Sequence, residues 1–295
     1  MVEVRSIPAA MHTTDHIKFT VIIPVLNAAH TIKAVLASLA AQSYTNFEVL
    51  IRDGGSTDCT LQYIKRFTET DTRFRCVSGK DNGIYDAMNK ALEQARGQWI
   101  FFLGSDDSVY DAMVFADVAE AIGQNPNAKL VYGNVKLNQP LGYHHQEMLY
   151  AGKFDGDKLL TKNICHQSVF YHHSLFREFG LYRTQYAIFA DYDFNLRCFN
   201  KVNSVYLDRI IANFNVGGHS KNKQHLDQLF EKEFTTNMVL YYSYPYSSSF
   251  FDGKKKELFQ LAARQFKLRH LKAIIKTCQI LSYQAIKSLV PYKQS

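Results

Sequence analysis

Long hydrophobic runs are missing from this sequence: no apolar stretch approaches the roughly 18 residues that a membrane-spanning helix needs. The N-terminal stretch MVEVRSIPAAMHTTDHIKF has no basic start leading into an apolar core, so no secretory signal is expected. The five cysteines, at 59, 76, 165, 198 and 278, form no Cys-x-x-Cys pair and are odd in number. A zinc site and a disulfide framework are thereby disfavoured, and reduced thiols in a cytoplasmic protein are the simplest reading. Repeats and low-complexity segments are also absent. Two common phosphate-binding turns do not occur either, the Gly-x-Gly-x-x-Gly turn and the P-loop.

What is present suits a globular chain with room for a sizeable core. It has 295 residues, 46% of them hydrophobic and 21% charged. The net charge of +7 is unevenly spread: residues 254–295 hold ten Lys/Arg against one Glu, and the remainder is slightly acidic. The basic character belongs to the tail. No nucleic-acid recognition motif accompanies it, so nucleic acid is not expected as a partner.

From residue 19 short apolar runs alternate with helical periodicity. FTVII (19–23), FEVLI (47–51), FRCV (74–77) and WIFFL (99–103) read as strands, the first closed by Pro24. Between them, Ile32, Val35, Leu36, Leu39 and Ala40 share one helical face, as do Leu61, Ile64 and Phe67, and then Ile84, Ala87, Met88, Ala91, Leu92 and Ala95. Ser56 or Thr57 is the expected cap of the second helix. Successive β-α-β units predict an α/β fold with a mostly parallel sheet and helices on both faces. Beyond residue 130 the pattern loosens. LVYGNVKL, HQSVFYHH, VYLD and IIANFNV suggest strands, and residues 192–202 suggest a helix.

Ligands of open α/β sheets bind beyond the carboxyl ends of the parallel strands. Asn27, Asp53, Asp81 with Asn82, and the adjacent Asp106 and Asp107 all fall at that edge. One Asp-Gly alone would be read as a turn. Four clusters at one edge point to a site. The run IFFLGSDD (100–107) carries buried-strand residues straight into two like charges, which are tolerable only with water or a cation between them. Mg²⁺ or Mn²⁺ takes such hard oxygen ligands and shares them with substrate phosphates, so the pair reads as half of a metal–diphosphate site.

Four ordered segments carry a resemblance: VIIPVLN (21–27), DGGSTD (53–58), DNGIYDAMNK (81–90) and LGSDD (103–107). They resemble the motifs of family 2 glycosyltransferases with the GT-A fold, in particular the bacterial enzymes of O-antigen, capsule and exopolysaccharide synthesis, over about residues 17–220. The resemblance implies an inverting, metal-dependent transfer of a hexose (Gal, Glc or an N-acetyl form) from a UDP-sugar to an undecaprenyl-diphosphate-linked saccharide. It implies that Pro24 to Asn27 wrap the nucleoside, that Asp53 meets the uracil imide, and that Asp81, Asn82 and Asn89 lie near the base. Asp106 would face the ribose and share the metal with Asp107, Ser105 standing where the family's first acid is. His219 is a candidate third metal ligand, whereas His144 and His145 have no evident partner.

The general base is expected in ADYDFNLR (190–197), which is similar to the family's Glu-Asp-x-x-Leu-x-x-Arg motif with Ala190 in place of Glu. Asp191 is the candidate and Asp193 the runner-up. His166 and Gln167 match a motif on the acceptor side. The expected organisation is an arm (1–16), a catalytic domain (17–220, divided at 110 into nucleotide-sugar and acceptor halves) and a basic helical extension (221–295).

In the extension, Leu268, Leu271, Ile275, Cys278, Ser282, Ala285 and Leu289 form a stripe opposite Arg269, Lys272, Lys276 and Lys287, the helix beginning or breaking near Leu268. Such a helix either lies on an anionic membrane surface or packs on the domain. A lipid-linked acceptor favours the former, placing a cytoplasmic protein peripherally on the inner membrane. A non-catalytic GT-A-like binding subunit and a nucleotidyltransferase are the competing classes; the latter leaves the Asp191 motif unexplained.

Overall fold

The computed structural model describes residues 17–138, 148–215, 227–242, 251–267 and 271–289. His144, His145, His219 and the expected domain edge near residue 220 lie outside these.

Strands β1 (Phe19–Val25), β2 (Phe47–Asp53), β3 (Phe74–Ser78) and β4 (Trp99–Phe102) are joined through helices α1 (Ile32–Ala40), α2 (Thr60–Thr70) and α3 (Ile84–Leu92). β1 pairs in parallel with β2 and β4, and β2 with β3. All seven residues of β1 and of β2 are buried, as continuous apolar runs require when helices cover both sheet faces. Pro24 does not end β1, which runs on through Val25. Its missing N–H costs little because β4 has parted from β1 by then, the last paired residues being Ile22 and Phe102.

The second half adds β5 (Ser108–Val109), α4 (Val114–Gln124), β6 (Leu130–Asn138), β7 (Met148–Tyr150), α5 (Gly156–Thr161), β8 (Val169–His172), α6 (Ser174–Phe179), α7 (Ala190–Cys198) and β9 (Ser204–Asn215). The sheet order is β3-β2-β1-β4-β8-β6-β9-β5, with β7 on β6. β8 runs antiparallel to both β4 and β6. VYLD and IIANFNV, two short runs in the sequence, are one long strand, β9. α2 starts later than expected: Cys59 occupies its N-cap position, and Asp58 accepts from the Thr60 N–H at 2.9 Å.

Two apolar clusters cover the two sheet faces. One joins the sheet to α1, α2 and α4. The other joins it to α3, α7 and three C-terminal helices, α8 (Gln228–Leu240), α9 (Lys255–Lys267) and α10 (Leu271–Leu289). Leu258 of α9 and Ile280 of α10 are wholly buried in that second cluster. Each such side chain contributes about 1.5–3 kcal/mol, so the C-terminal helices are part of this second core.

The stripe read from the sequence is not the buried one. Ile275, Cys278, Ser282 and Ala285 are exposed, and Thr277, Ile280 and Gln284 face the body. Both sets have helical spacing and lie about 100° apart. The set carrying Lys276 inward wins, because its ammonium donates to the Tyr242 carbonyl at 3.2 Å at the end of α8. Among the described residues no helix is long and apolar enough to cross a membrane.

Candidate active site

At the ends of β1 and β2 the expected nucleotide residues mostly build the edge itself. Pro24 is buried within β1. Asn27 has a φ of 52°, and its side-chain oxygen accepts from the Thr57 N–H at 2.9 Å while its own N–H donates to Ser56 Oγ at 2.8 Å. These bonds stitch the turn after β1 to the turn after β2. Asp53 is completely buried and accepts from the N–H groups of Gly55 at 3.0 Å and Ser56 at 3.2 Å and from the Ser78 hydroxyl at 2.5 Å. Its charge shapes the Gly54–Ser56 turn from below.

The DNGIYDAMNK segment divides its side chains between two jobs. Asp81 makes a buried pair with Arg52 at 2.7 Å and accepts from Lys90 at 2.9 Å, and Lys90 also meets Asp86 at 2.8 Å. The Asp81 carboxylate holds the Arg52 guanidinium charged, pushing it above its ordinary value. Asn82 is exposed, and its N–H donates to Asp86 at the start of α3. On the other face, Tyr85 and Asn89 stand one turn apart. Asn89 exchanges two hydrogen bonds, 2.9 and 3.0 Å, with the backbone of Tyr182. Asp81 is thus in an ion network and Asn89 in a backbone tether. Neither Arg52 nor Lys90 stood out in the sequence.

Beyond β4 the chain turns sharply. Asp107 is buried; it accepts from Gln167 Nε2 at 2.9 Å and from the Asn215 N–H at 2.9 Å. Burial, with the neighbouring Asp106 charge adding to it, pushes its carboxyl up to about 7. Asp106 is half-buried and raised by desolvation; the Asn215 side chain donates to its backbone carbonyl, and no described side chain is shown donating to its carboxylate. The Thr31 hydroxyl ties the turn to α1 through the Ser105 carbonyl at 2.7 Å. Gly104 leaves the space: a Cβ there would stand 2.4 Å from Asp107 Oδ2 and 3.1 Å from Asp106 Oδ1. Gly104→Ala therefore displaces the pair, and we expect a loss of at least about tenfold in turnover with little change in melting temperature; steady-state kinetics beside a thermal melt checks this.

Two adjacent acids, both raised by desolvation, make a costly arrangement that a hard divalent cation would relieve. The residues fit such an ion, with Asp106 and Asp107 as its protein ligands. Among the described residues no third His, Cys, Asp or Glu joins them, so the remaining ligands would be substrate oxygens and water.

Asp191 lies in the first turn of α7 and is nearly buried. Its oxygens accept from the Tyr85 hydroxyl at 2.9 Å and from Asn163 Nδ2 at 2.8 Å. Asp193 is committed elsewhere: completely buried, it bonds Arg197 at 2.8 Å, Arg183 at 3.1 Å and the Tyr242 hydroxyl at 2.9 Å. Ahead of α7, Asp227 receives the consecutive N–H groups of Ala187, Ile188 and Phe189 at 2.6, 2.7 and 2.5 Å. The start of α8 thereby fixes the approach to Asp191.

The segment Asn163–Gln167 reaches both carboxylate sites. Asn163 holds Asp191 and Gln167 holds Asp107, so Gln167 orients an acid at the strand end. Four residues of chain span at most about 14 Å. Cys165, between them, feels both negative charges; burial and those charges push its thiol up to about 12. His166 stacks on Phe102 with centroids 4.9 Å apart and meets the Tyr182 hydroxyl at 2.9 Å; burial lowers its basicity. Its ring packs among aromatic side chains and is partly buried.

Comparison with known proteins gives the family and the fold. A family model described as "Glycosyl transferase family 2" matches residues 20–180. The chain belongs to that family. A "PGL/p-HBAD biosynthesis glycosyltransferase" of Mycobacterium bovis (strain BCG / Pasteur 1173P2) is 40% identical over 226 residues, which is 75% of this chain and 84% of the relative. The same figures hold for its namesake in Mycobacterium tuberculosis (strain ATCC 25177 / H37Ra). Among solved structures, S. aureus TarS 1-349 in complex with UDP-GlcNAc superposes with a TM-score of 0.56 at 17% identity, covering 94% of this chain and 93% of TarS 1-349. The Pyrobaculum calidifontis mannosyltransferase PcManGT, solved with GDP-Man and Mn²⁺, gives 0.53 at 17% identity, covering 94% and 77%. The chain is a family 2 glycosyltransferase with the GT-A fold. Its carboxylate pair follows β4, and Asp191 lies in the first turn of α7.

Proposed function

We propose that this glycosyltransferase moves a hexose (Gal, Glc or an N-acetyl form) with inversion from a UDP-sugar to a lipid-linked saccharide in bacterial surface polysaccharide synthesis. The observation that carries the reading is the pairing of two differently held carboxylate sites by one short segment. Asp107 with Asp106 suits a diphosphate, and Asp191 suits a hydroxyl proton.

In this reading Asp106 and Asp107 would hold Mn²⁺ or Mg²⁺, which would supply positive charge to the departing diphosphate. Gln167 and Asn215 keep Asp107 aimed. Asp191 takes the proton of the acceptor hydroxyl as that oxygen bonds to the anomeric carbon and the bond to the diphosphate oxygen breaks. The products are a glycoside of inverted configuration, a nucleoside diphosphate and a protonated Asp191. Asp53 and Asn27 shape the pocket for the base rather than reading it alone, and Asp81 stiffens it through Arg52. Residues 17–220 form the catalytic unit in this reading, 17–110 for the nucleotide-sugar and 111–220 for the acceptor, and 221–295 the basic extension.

The mycobacterial relatives' name gives a second acceptor class, that of PGL/p-HBAD biosynthesis. Their 40% identity favours testing it alongside. Nucleoside diphosphate release from a panel of UDP- and GDP-sugars, with Mn²⁺ and each acceptor class, tests the reading. Turnover with a UDP-sugar and an inverted product supports it. Binding without turnover across the panel would instead indicate the non-catalytic subunit.

A peripheral place on the cytoplasmic face of the inner membrane belongs to the same proposal. Lys255 and Lys256 are exposed on α9, and Phe259, 63% exposed, follows one turn later. Basic groups beside an exposed ring suit an anionic surface. Deleting the tail would remove buried Leu258 and Ile280, so point changes are the cleaner test. At about 1 kcal/mol per lysine, Lys255→Ala with Lys256→Ala weakens partition onto anionic vesicles by about 30-fold; flotation shows whether it does.

A further inference from the structure

Tyr85 stands where one phenol meets two acceptors. Its hydroxyl lies 2.9 Å from Asp191 Oδ1 and also bonds the Ile188 carbonyl, three residues ahead of Asp191. A phenol has one hydrogen, so it serves only one of the two fully at a time. The ring is fixed, buried on α3 and packed against Tyr182 with centroids 5.4 Å apart. The Ile188 end is fixed as well, because its N–H donates to Asp227 at 2.7 Å. Asp191 therefore faces a hydroxyl that cannot swing away and that has a second acceptor waiting.

We propose that Tyr85 is a positioning residue for the base, matching its hydrogen bond to both protonation states of Asp191. While Asp191 is ionised, the Tyr85 hydrogen points to Oδ1 and Asn163 donates to Oδ2, so both oxygens are held. When Asp191 takes the acceptor hydroxyl's proton, the new carboxyl O–H donates to Tyr85 Oη, and the Tyr85 hydrogen turns to the Ile188 carbonyl. No proton leaves Tyr85, and the abstracted proton stays on Asp191. The hydrogen bond survives the reaction with its direction reversed, and it is stronger to the ionised carboxylate than to the neutral acid, so losing it disfavours the ionised form. This inference rests on Asp191 being the base.

The ionisable groups around Asp191 leave Tyr85 the main lever on it. Tyr150 of β7, Tyr171 of β8, Tyr182, Cys165 and His166 feel the Asp191 charge, and Asp227 acts on Tyr85. The tyrosines and Cys165 are raised, chiefly by burial, and stay neutral. His166 is lowered by burial. Tyr85 itself is raised well above the ordinary tyrosine value by burial and then by the Asp191 charge, so it remains a donor.

The test is the pH profile of kcat at saturating Mn²⁺ and donor for the full chain, for Tyr85→Phe, for 3-fluorotyrosine at position 85 and for Asp191→Asn. Tyr85→Phe keeps the ring and loses the donor. Its acid limb is expected about one pH unit higher, with kcat reduced about tenfold below the limb and recovering at high pH. 3-Fluorotyrosine keeps shape and hydroxyl but donates more strongly, so its limb moves the other way. It also serves where Tyr85→Phe fails to fold. An unmoved limb in the folded variants overturns the Tyr85 role, whether or not kcat falls. Intact turnover in Asp191→Asn instead overturns the base assignment beneath it.

Discussion

Asp107→Ala is expected to abolish transfer, with kcat/KM down by at least about 10³ and nucleotide binding no longer strengthened by Mn²⁺. The figure corresponds to about 4 kcal/mol, the scale of charge stabilisation a bound divalent ion supplies to a leaving group. Unfolding would not account for such a loss. Asp107 sits desolvated beside Asp106, an arrangement that burdens the metal-free chain, so its removal should leave the melting temperature equal or higher. Gln167 and Asn215 lose an acceptor, but a water in the vacated space can satisfy them. Calorimetry of UDP with and without Mn²⁺, beside a melt, separates the two effects. Metal-strengthened binding that survives in Asp107→Ala would mean the ion is held elsewhere.

Asp191→Asn should produce the opposite division. Turnover falls by about 10² to 10⁴, the range in which a positioned general base contributes, while UDP binding with Mn²⁺ stays within about twofold because no nucleotide contact is proposed for Asp191. The amide retains the shape of the carboxylate, and its oxygen can still accept from Asn163 or Tyr85. Asp193→Asn makes the contrast. That residue pairs with Arg183 and Arg197, and breaking a buried pair costs about 3–5 kcal/mol. The second variant should lose stability first and activity as a consequence. If the two variants behaved alike in both assays, the choice between these acids would have to be reopened.

The sequence made part of this plain. Strands β1 to β4 showed as apolar runs, because parallel strands covered on both faces must be apolar throughout. The acids at their ends then fell on one edge by topology alone. The partners of those acids did not show. Gln167 lies 60 residues from Asp107, Asn215 lies 108 residues from it, and Tyr85 lies 106 residues from Asp191. Nothing local marks such pairs.

Asparagines were the least readable. Asn27 and Asn89 looked like ligand contacts and also bond backbone groups, which the sequence did not show, while Asn163 carried no signal. One amide side chain suits either task, so its type does not decide between them. Two signals were readable in hindsight: a glycine directly ahead of the acid pair, and Tyr85 with Asn89 at helical spacing. In α10 two equally spaced stripes competed, and only the Lys276 contact with α8 decided between them.

The five-residue bridge from Asn163 to Gln167 also limits how this enzyme can be recombined with its relatives. A chimaera whose junction falls inside those residues would draw one grip from each parent, and a single inserted residue would shift the hold on Asp191 against the hold on Asp107. Exchanges meant to alter acceptor choice therefore need crossover points on either side of this stretch, carrying it across whole.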